Sequence, residues 1–361
     1  MQPLILISAL NCFAQTNEEQ YKKELESAKI ATNWSDCLKH IKKSTIFFSL
    51  TQHSLLENAD FNYSLVSIIK RDIKYWGLTA NDKINFADEI NLYFDQTIIL
   101  YKDYRTKNLK DFEDFMEKVT GPNSATFIKK ASFNAAITNI YMPFVAATLR
   151  HFECVVEKAM LAQKINAALS LELHKTIAEI NAFKFLVEAP VPTATTNNYV
   201  ARIFIMLANS GINVDANLEK AEATFKEVLS TETTGFDRTI IRHIKAQAIN
   251  GLIELALRSS QYDGITDLMK IYSDSKEPLL PANNIFDETD IELLLNMILL
   301  NANAYKNANV DKKGSYYLQN LKELKAYLEK ATLVPTTPDI LKNKAKALLI
   351  EVDRIIVQKL P

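Results

Sequence analysis

Apolar residues recur every three or four positions along much of the chain, a spacing that places them on one face of an α-helix. Five of them occupy positions i, i+3, i+4, i+8 and i+11 and are followed by Gly77, a natural helix stop. They are Leu65, Ile68, Ile69, Ile73 and Trp76. The spacing predicts an amphipathic helix with one buried face.

The same periodicity continues through the second half of the chain. Two segments with helical spacing are Ile249, Leu252, Ile253, Ala256 and Leu257, and then Ile265, Leu268, Met269 and Tyr272. Near the C-terminus, two further segments alternate steps of four and three, which predicts two adjacent antiparallel helices. Their residues are Tyr317, Leu321, Leu324, Leu328 and Ala331, followed by Leu341, Ala345, Leu348, Val352 and Ile355.

Glycine and proline are too scarce for a β-rich protein. The 361 residues include 7 Gly and 10 Pro, which leaves little material for the tight turns of a sheet. With 48% hydrophobic and 24% charged residues, the composition is that of a folded protein. We therefore expect an all-α fold of stacked helical hairpins, an α-solenoid of about 13 to 14 helices without strands.

Polar and proline-containing segments separate the periodic ones. Residues 120–124 (TGPNS) and 209–215 (NSGINVD) predict short joints between helices, and 79–82 (TAND), 287–290 (DETD) and 336–339 (TTPD) predict helix starts. Longer breaks are expected at 188–198 (EAPVPTATTNN) and 276–284. The first is the predicted boundary between an N-terminal helical region, 15–190, and a repeat region, 197–361.

An uncharged stretch, residues 132–149, raises the question of a membrane span. Asn134, Thr138, Asn139 and Pro143 interrupt it, whereas a span needs about 20 strongly apolar residues. The stretch therefore predicts a buried, kinked helix pair, and we expect no integral membrane span.

The charge balance and the absence of catalytic motifs narrow the possible functions. The formal net charge is -1, which disfavours nucleic acid because proteins that grip phosphate backbones carry an excess of Lys and Arg. The sequence contains no P-loop, dinucleotide-binding glycine pattern, serine elbow or His-Glu-x-x-His motif. We expect a non-enzymatic protein without a cofactor.

Two Cys–His pairs suggest a metal site as an alternative to simple core residues. Cys37 and His40, and likewise His151 and Cys154, lie three positions apart, so each pair shares one helix face. Together they could form a Cys2His2 zinc site. Cysteine is often buried, so core cysteines with incidental histidines are the favoured interpretation, and a disulfide is a further alternative.

The first residues resemble the export signals of bacterial envelope proteins. An apolar run, 3–10, is followed by Cys12-Phe13-Ala14, with small residues where a signal peptidase reads. No Lys or Arg precedes the run, and a buried first helix of a cytoplasmic chain is the alternative. We expect residues 1–14 to be a signal peptide and the protein to be periplasmic or secreted.

The second half of the chain resembles a degenerate tetratricopeptide-repeat array. Residues 218–229 (LEKAEATFKEVL) are similar to a second repeat helix, with Ala221 at the small position and Phe225 at the aromatic one. Residues 249–272 are similar to a whole repeat, although Ile253 stands where the family usually has Gly. Residues 326–339 are similar to the helix end, proline and restart of such arrays.

The resemblance implies stacked helix hairpins with a curved surface that binds a protein or peptide partner. We therefore expect a helical-repeat scaffold for protein–protein interaction. The alternative is a small-molecule or lipid-binding helical protein, or a helical enzyme, with a cavity in the N-terminal half.

Overall fold

The computed structural model describes the chain in eleven ranges: 2–31, 34–75, 87–129, 131–162, 165–187, 189–232, 237–260, 262, 288–307, 312–333 and 339–358. Residues in these ranges form fourteen α-helices and one π-helical segment, and they contain no β-strand. The all-α fold of stacked helix pairs, solenoid-like in its order of packing, is thereby confirmed.

The chain divides into two compact units, Met1–Leu161 and Ala162–Pro361. The helices of unit 1 are α1 (Gln2–Ile30), α2 (Trp34–Ser49), α3 (Leu55–Tyr75), α4 (Ala87–Thr120), α5 (Ser124–Ile128), α6 (Ala131–Ala136), the π-helical segment (Ile137–Tyr141) and α7 (Met142–Leu161). In this unit α1 packs on α2, α3 on α4, and α4 on α7.

Unit 2 is built from pairs of neighbouring helices. They are α8 (Ala167–Val187), α9 (Pro190–Asn209), α10 (Val214–Ser230), α11 (Arg238–Ser259), α12 (Glu288–Asn307), α13 (Lys312–Thr332) and α14 (Asp339–Gln358). Each of these helices packs against the next one in the chain, and α9 also contacts α11, as α12 contacts α14. This order of contacts is that of stacked hairpins.

The two predicted short joints are confirmed. Helix α4 ends at Thr120 and α5 begins at Ser124, while α9 ends at Asn209 and α10 begins at Val214. Gly211, with φ of 81°, supplies the left-handed turn of the second joint. The predictions for Trp76, Gly77 and the ranges 79–82, 265–272, 276–284 and 334–338 lie outside the described residues.

Most of the periodic residues that the structure describes are buried, whereas Ala256, Leu257, Leu348 and Ile355 are partly buried. The buried periodic residues lie on α3, α11, α13 and α14: Leu65, Ile68, Ile69, Ile249, Leu252, Ile253, Tyr317, Leu321, Leu324, Leu328, Ala331, Leu341, Ala345 and Val352. Because α13 and α14 also contact each other, the predicted adjacency of the last two helices is confirmed.

The uncharged stretch 132–149 is only partly buried, so the prediction of a buried helix pair is wrong for its first half. Ser132, Asn134, Thr138 and Asn139 are exposed, and burial starts at Phe144. A π-helical turn over Ile137–Tyr141 joins α6 to α7. The polar residues that interrupt the sequence pattern face water here. No helix among the described residues is long and apolar enough to cross a membrane.

From Pro190 onward the predicted break 188–198 is helical, and the division between the two units lies elsewhere in the chain. The two units divide between Leu161 and Ala162. Helix α9 starts at Pro190, a position where the missing N–H of proline costs no helical hydrogen bond. The polar residues that suggested a linker are buried and bonded: Asn197 accepts from Lys184 Nζ at 2.8 Å, and Asn198 Nδ2 donates to the carbonyl of Ile244 at 2.9 Å.

The N-terminal segment is helical in the structure. Helix α1 runs without a break from Gln2 to Ile30. The cleavage of residues 1–14 and the exported location stay predictions.

Candidate functional site

Unit 1 holds a network of charged and phenolic side chains among α3, α4 and α7. Asp60 and Tyr63 lie three residues apart on α3 and therefore share a helix face. Tyr101 comes from α4 and Arg150 from α7, so the network joins the three helices that form the centre of this unit.

Asp60 is the meeting point of the first half of the network. Its Oδ1 atom accepts a hydrogen bond from Tyr101 Oη at 2.7 Å and one from Arg150 Nη1 at 2.5 Å. The Arg150 guanidinium also lies 5.0 Å from the centre of the Tyr63 ring, within the range of a cation–π contact. Burial, and the hydrogen bond to Asp60, raise the pKa of Tyr101, so its phenol stays protonated and donates.

The second half of the network lies about one to three turns further along the same helices. Tyr63 Oη donates to Glu153 Oε2 at 2.7 Å, and Lys70 Nζ bonds to Glu153 Oε1 at 2.8 Å and Glu157 Oε1 at 3.2 Å. Burial favours loss of the Lys70 proton, but the two carboxylates outweigh it and raise the pKa of Lys70. The Lys70 ammonium group therefore neutralises part of the combined negative charge of Glu153 and Glu157.

An open cleft of about 420 Å³ borders this network. Its lining residues are Lys29, Asp60, Tyr63, Ser64, Ser67, Ile68 and Arg150. The cleft offers hydroxyl groups and both signs of charge, which suits a small polar molecule better than an apolar one. Burial and Glu153 raise the pKa of the Tyr63 phenol, so this phenol stays protonated and is not an activated nucleophile.

A conservative substitution measures the contribution of this network to stability. We expect Tyr101→Phe to lower the free energy of unfolding by about 1 to 2 kcal/mol, because the part-buried hydrogen bond to the Asp60 carboxylate is lost while the ring is retained. Tyr104→Phe, on the same helix and half-buried, is the matched control and should change it by less. Urea unfolding of both variants is the measurement, and equal losses would contradict the assignment.

The four predicted metal candidates do not assemble into a site. Cys37 and Cys154 are both buried in the apolar core of unit 1, and neither forms a disulfide. His40 Nδ1 instead pairs with Glu24 Oε2 at 2.6 Å, while His151 Nδ1 lies 3.2 Å from the carbonyl oxygen of Ile98. No three potential ligands converge among the residues that the structure describes.

Unit 2 carries a different surface feature, a groove of about 310 Å³ between α12 and α14. Leucines form its walls: Leu295 and Leu299 on α12, Leu341 and Leu348 on α14. Glu292, Asn296 and Lys344 complete its lining. Apolar walls beside polar and charged groups are the arrangement of a groove that accepts the apolar face of a helix.

Comparison with known proteins suggests no function, so a function must be inferred from the geometry of the cleft and the groove. No protein-family model, no curated protein and no solved structure matches the chain.

Neither the cleft of unit 1 nor the groove of unit 2 could be found from the sequence alone. The network residues Asp60, Tyr101 and Arg150 are separated by 41, 49 and 90 positions, so no local motif contains them. Arg150 was the one residue whose position could have indicated the network. It is the first charged residue after the long uncharged stretch, and a charge at the start of a buried segment needs a partner.

Proposed function

We propose that the protein is a non-enzymatic helical scaffold that binds a segment of a protein partner, with a tetratricopeptide-like repeat region in unit 2 and an exported, envelope or periplasmic location. The observation that carries the proposal is the leucine-walled groove between α12 and α14. Its partner is a segment with two or three apolar side chains on one face, such as an amphipathic helix.

The residues that suggested the repeat family support this proposal through their packing. Ala221 and Phe225 of α10 are fully buried, and they share a core with α9 and α11. Small and aromatic residues meet at this contact, as between the helices of a tetratricopeptide repeat. The presence of Ile253 where the family usually has Gly also has a physical reason. Ile253 is buried as an ordinary core residue, and Gly251 instead allows α11 to approach Phe225 closely.

The state of the histidine and cysteine in the core of unit 1 supports a non-enzymatic role. Burial raises the pKa of the Cys154 thiol well above its usual range, which keeps it in the unreactive protonated form. Burial, together with the charges of Arg105 and Lys102, lowers the pKa of His151 to about 3. Neither group is suited to acid–base or nucleophilic chemistry near neutral pH.

The groove can be tested with variants that change its chemistry without removing core residues. We expect affinity capture with the wild-type chain to recover a stoichiometric protein partner from the native cells. Leu299→Glu and Lys344→Glu should each reduce its recovery at least about tenfold, since they place a charge in an apolar wall or reverse a charge in the lining.

Ile350→Glu is the matched control because Ile350 lies on α14, is 72% exposed and is outside the groove. Circular dichroism shows whether each variant is folded. A partner that both groove variants retain as well as the wild type does would place its contact elsewhere and overturn the groove assignment.

The cleft of unit 1 favours a second candidate function, the binding of a small polar molecule. Lys29 and Arg150 with the hydroxyls of Ser64 and Ser67 could hold such a ligand against α3. Native mass spectrometry of the purified protein would reveal a co-purified small molecule. Its loss in Ser67→Leu, together with the absence of any protein partner, would favour this function over the scaffold.

A further inference from the structure

Helix α8 is apolar on two opposite faces. One face is buried, chiefly against α9, and consists of Leu173, Thr176, Ile180, Phe183 and Val187. The other carries three apolar residues spaced by seven positions: Leu171, Ala178 and Phe185. All three are exposed, Leu171 to 57% and Phe185 to 82%.

The three exposed residues form a straight line along the helix. At 3.6 residues per turn, a step of seven residues returns to within about 20° of the same direction, so Leu171, Ala178 and Phe185 point the same way. That direction is opposite to the buried face. Single exposed apolar residues are ordinary, but an aligned set opposite the core side is typical of a surface that another element covers.

The pattern of side-chain sizes along this line, large, small and large, is unchanged when its direction is reversed. We propose that α8 pairs antiparallel with α8 of a second copy of the chain, about a two-fold axis at Ala178. Leu171 then meets Phe185 of the second copy at both ends, and Ala178 meets its own equivalent at the centre. A small residue at the centre lets the two backbones approach, while the larger ones fill the space on either side.

The charges beside the line favour the antiparallel direction. Lys175 and Glu179 are exposed and lie on one flank, while His174 and Asn181 lie on the other. The two-fold axis places like flanks together, so that Lys175 is offset from Glu179 of the second copy by about 3 Å along the helix, within reach of a lysine side chain. The same contact occurs twice by symmetry. A parallel pair would place the charged flank against His174 and Asn181 instead.

The size of the paired surface determines how tightly the two copies are expected to bind. One pair of helices of about 20 residues buries less than the roughly 1,200 Å² of a standard interface, so the dimer is a weak one. We expect a dissociation constant in the micromolar range and a population of dimer that depends on protein concentration.

Sedimentation velocity of the full chain over about a hundredfold range of concentration tests the association. The wild-type mass should rise from that of the 40.9 kDa monomer towards twice this value. Phe185→Glu and Leu171→Glu should remain monomeric, whereas the control Ile350→Glu, a similar change at an exposed position of α14, should associate like the wild type. A monomeric wild type, or self-association that survives Phe185→Glu, overturns the proposal.

Cysteine cross-linking tests the direction of pairing. In a Cys12→Ser background, the remaining native cysteines, Cys37 and Cys154, are buried. Ala178→Cys should form a disulfide-linked dimer under mild oxidation, because the axis brings the two copies of residue 178 together. His174→Cys should not, since its two copies lie about 12 Å apart along the helices, beyond the roughly 7 Å that a disulfide spans. Faster cross-linking at 174 than at 178 would exclude the antiparallel pair.

Discussion

Gly251→Ala is expected to lower the free energy of unfolding by about 3 kcal/mol, although alanine is the better helix former. Gly251 lies within α11, where its Cα faces the ring of Phe225 on α10. A Cβ atom added there would overlap Cζ and Cε2 of that ring and come within 2.8 Å of Cε1. Phe225 is fully buried, so its ring has no open space to move into.

Helix propensity alone predicts the opposite sign. Replacing glycine by alanine inside a helix usually stabilises it by about 0.5 to 1 kcal/mol. A large loss in Gly251→Ala would therefore identify the clash with Phe225 as the cause. Chemical denaturation followed by circular dichroism is the measurement, with Gly211→Ala as a control. Nothing lies within 4 Å of that Cβ position, so only the cost of its positive φ, about 1 kcal/mol, is expected.

A double-mutant cycle assigns the clash to one side chain. Phe225→Leu shortens the ring side chain and lowers stability by itself, but it removes the atoms that the new methyl group would meet. In the Phe225→Leu background, Gly251→Ala should cost less than about 1 kcal/mol, which corresponds to a coupling energy of about 2 kcal/mol. An undiminished cost in that background would mean that the backbone of α10, and not the ring, opposes the methyl group.

The helices could be predicted from the sequence because their evidence is local. The spacing of Leu321, Leu324 and Leu328 fixes a buried face without knowledge of what covers it. The break predicted at 188–198 was too long, because α8 ends at Val187 and α9 already begins at Pro190. Its Thr and Asn residues resemble a linker until their partners are known. Asn198 bonds to Ile244, 46 positions away, and no window of sequence contains both residues.

The candidate sites could not be predicted for the same reason. The Asp60–Tyr101–Arg150 network depends on three helices that meet only in the folded unit. The groove of unit 2 needs Leu348 to be left partly exposed, whereas the periodicity of α14 assigns it to a buried face. The resemblance aligns Ile253 with the usual glycine of the family, whereas the close contact with Phe225 lies two positions earlier, at Gly251.

Acidification should destabilise the protein through His151, a buried residue of α7. It is 5% exposed, and its Nδ1–H donates to the carbonyl of Ile98 on α4. Burial first, and then the positive charges of Arg105 and Lys102, lower its pKa to about 3, against 6.5 for the unfolded chain. The folded state therefore keeps this imidazole neutral at pH values where the unfolded state binds a proton.

The sign of the effect follows from this difference in proton binding. Above pH 6.5 neither state is protonated at His151, and its contribution to stability is fully present. As the pH falls from 6.5 towards 3, only the unfolded state takes up the proton, so the free energy of unfolding decreases by up to about 1.4 kcal/mol per pH unit. Between pH 6.5 and 4.5 the expected loss is therefore on the order of 2 to 3 kcal/mol.

His151→Gln isolates this contribution, because glutamine retains an N–H donor for Ile98 and does not titrate. His151→Asn is a second variant, whose amide nitrogen lies nearer the position of Nδ1; the measured quantity is the slope of stability against pH and not its value at one pH. Between pH 6.5 and 4.5 the variant should lose less stability than the wild type. The difference between the two slopes of stability against pH should correspond to the uptake of almost one proton on unfolding. His174→Gln, at an exposed position of α8, controls for histidine loss in general. Parallel slopes for the wild type and His151→Gln would show that the imidazole takes up its proton in the folded state, which requires α4 and α7 to separate at this point before the protein unfolds.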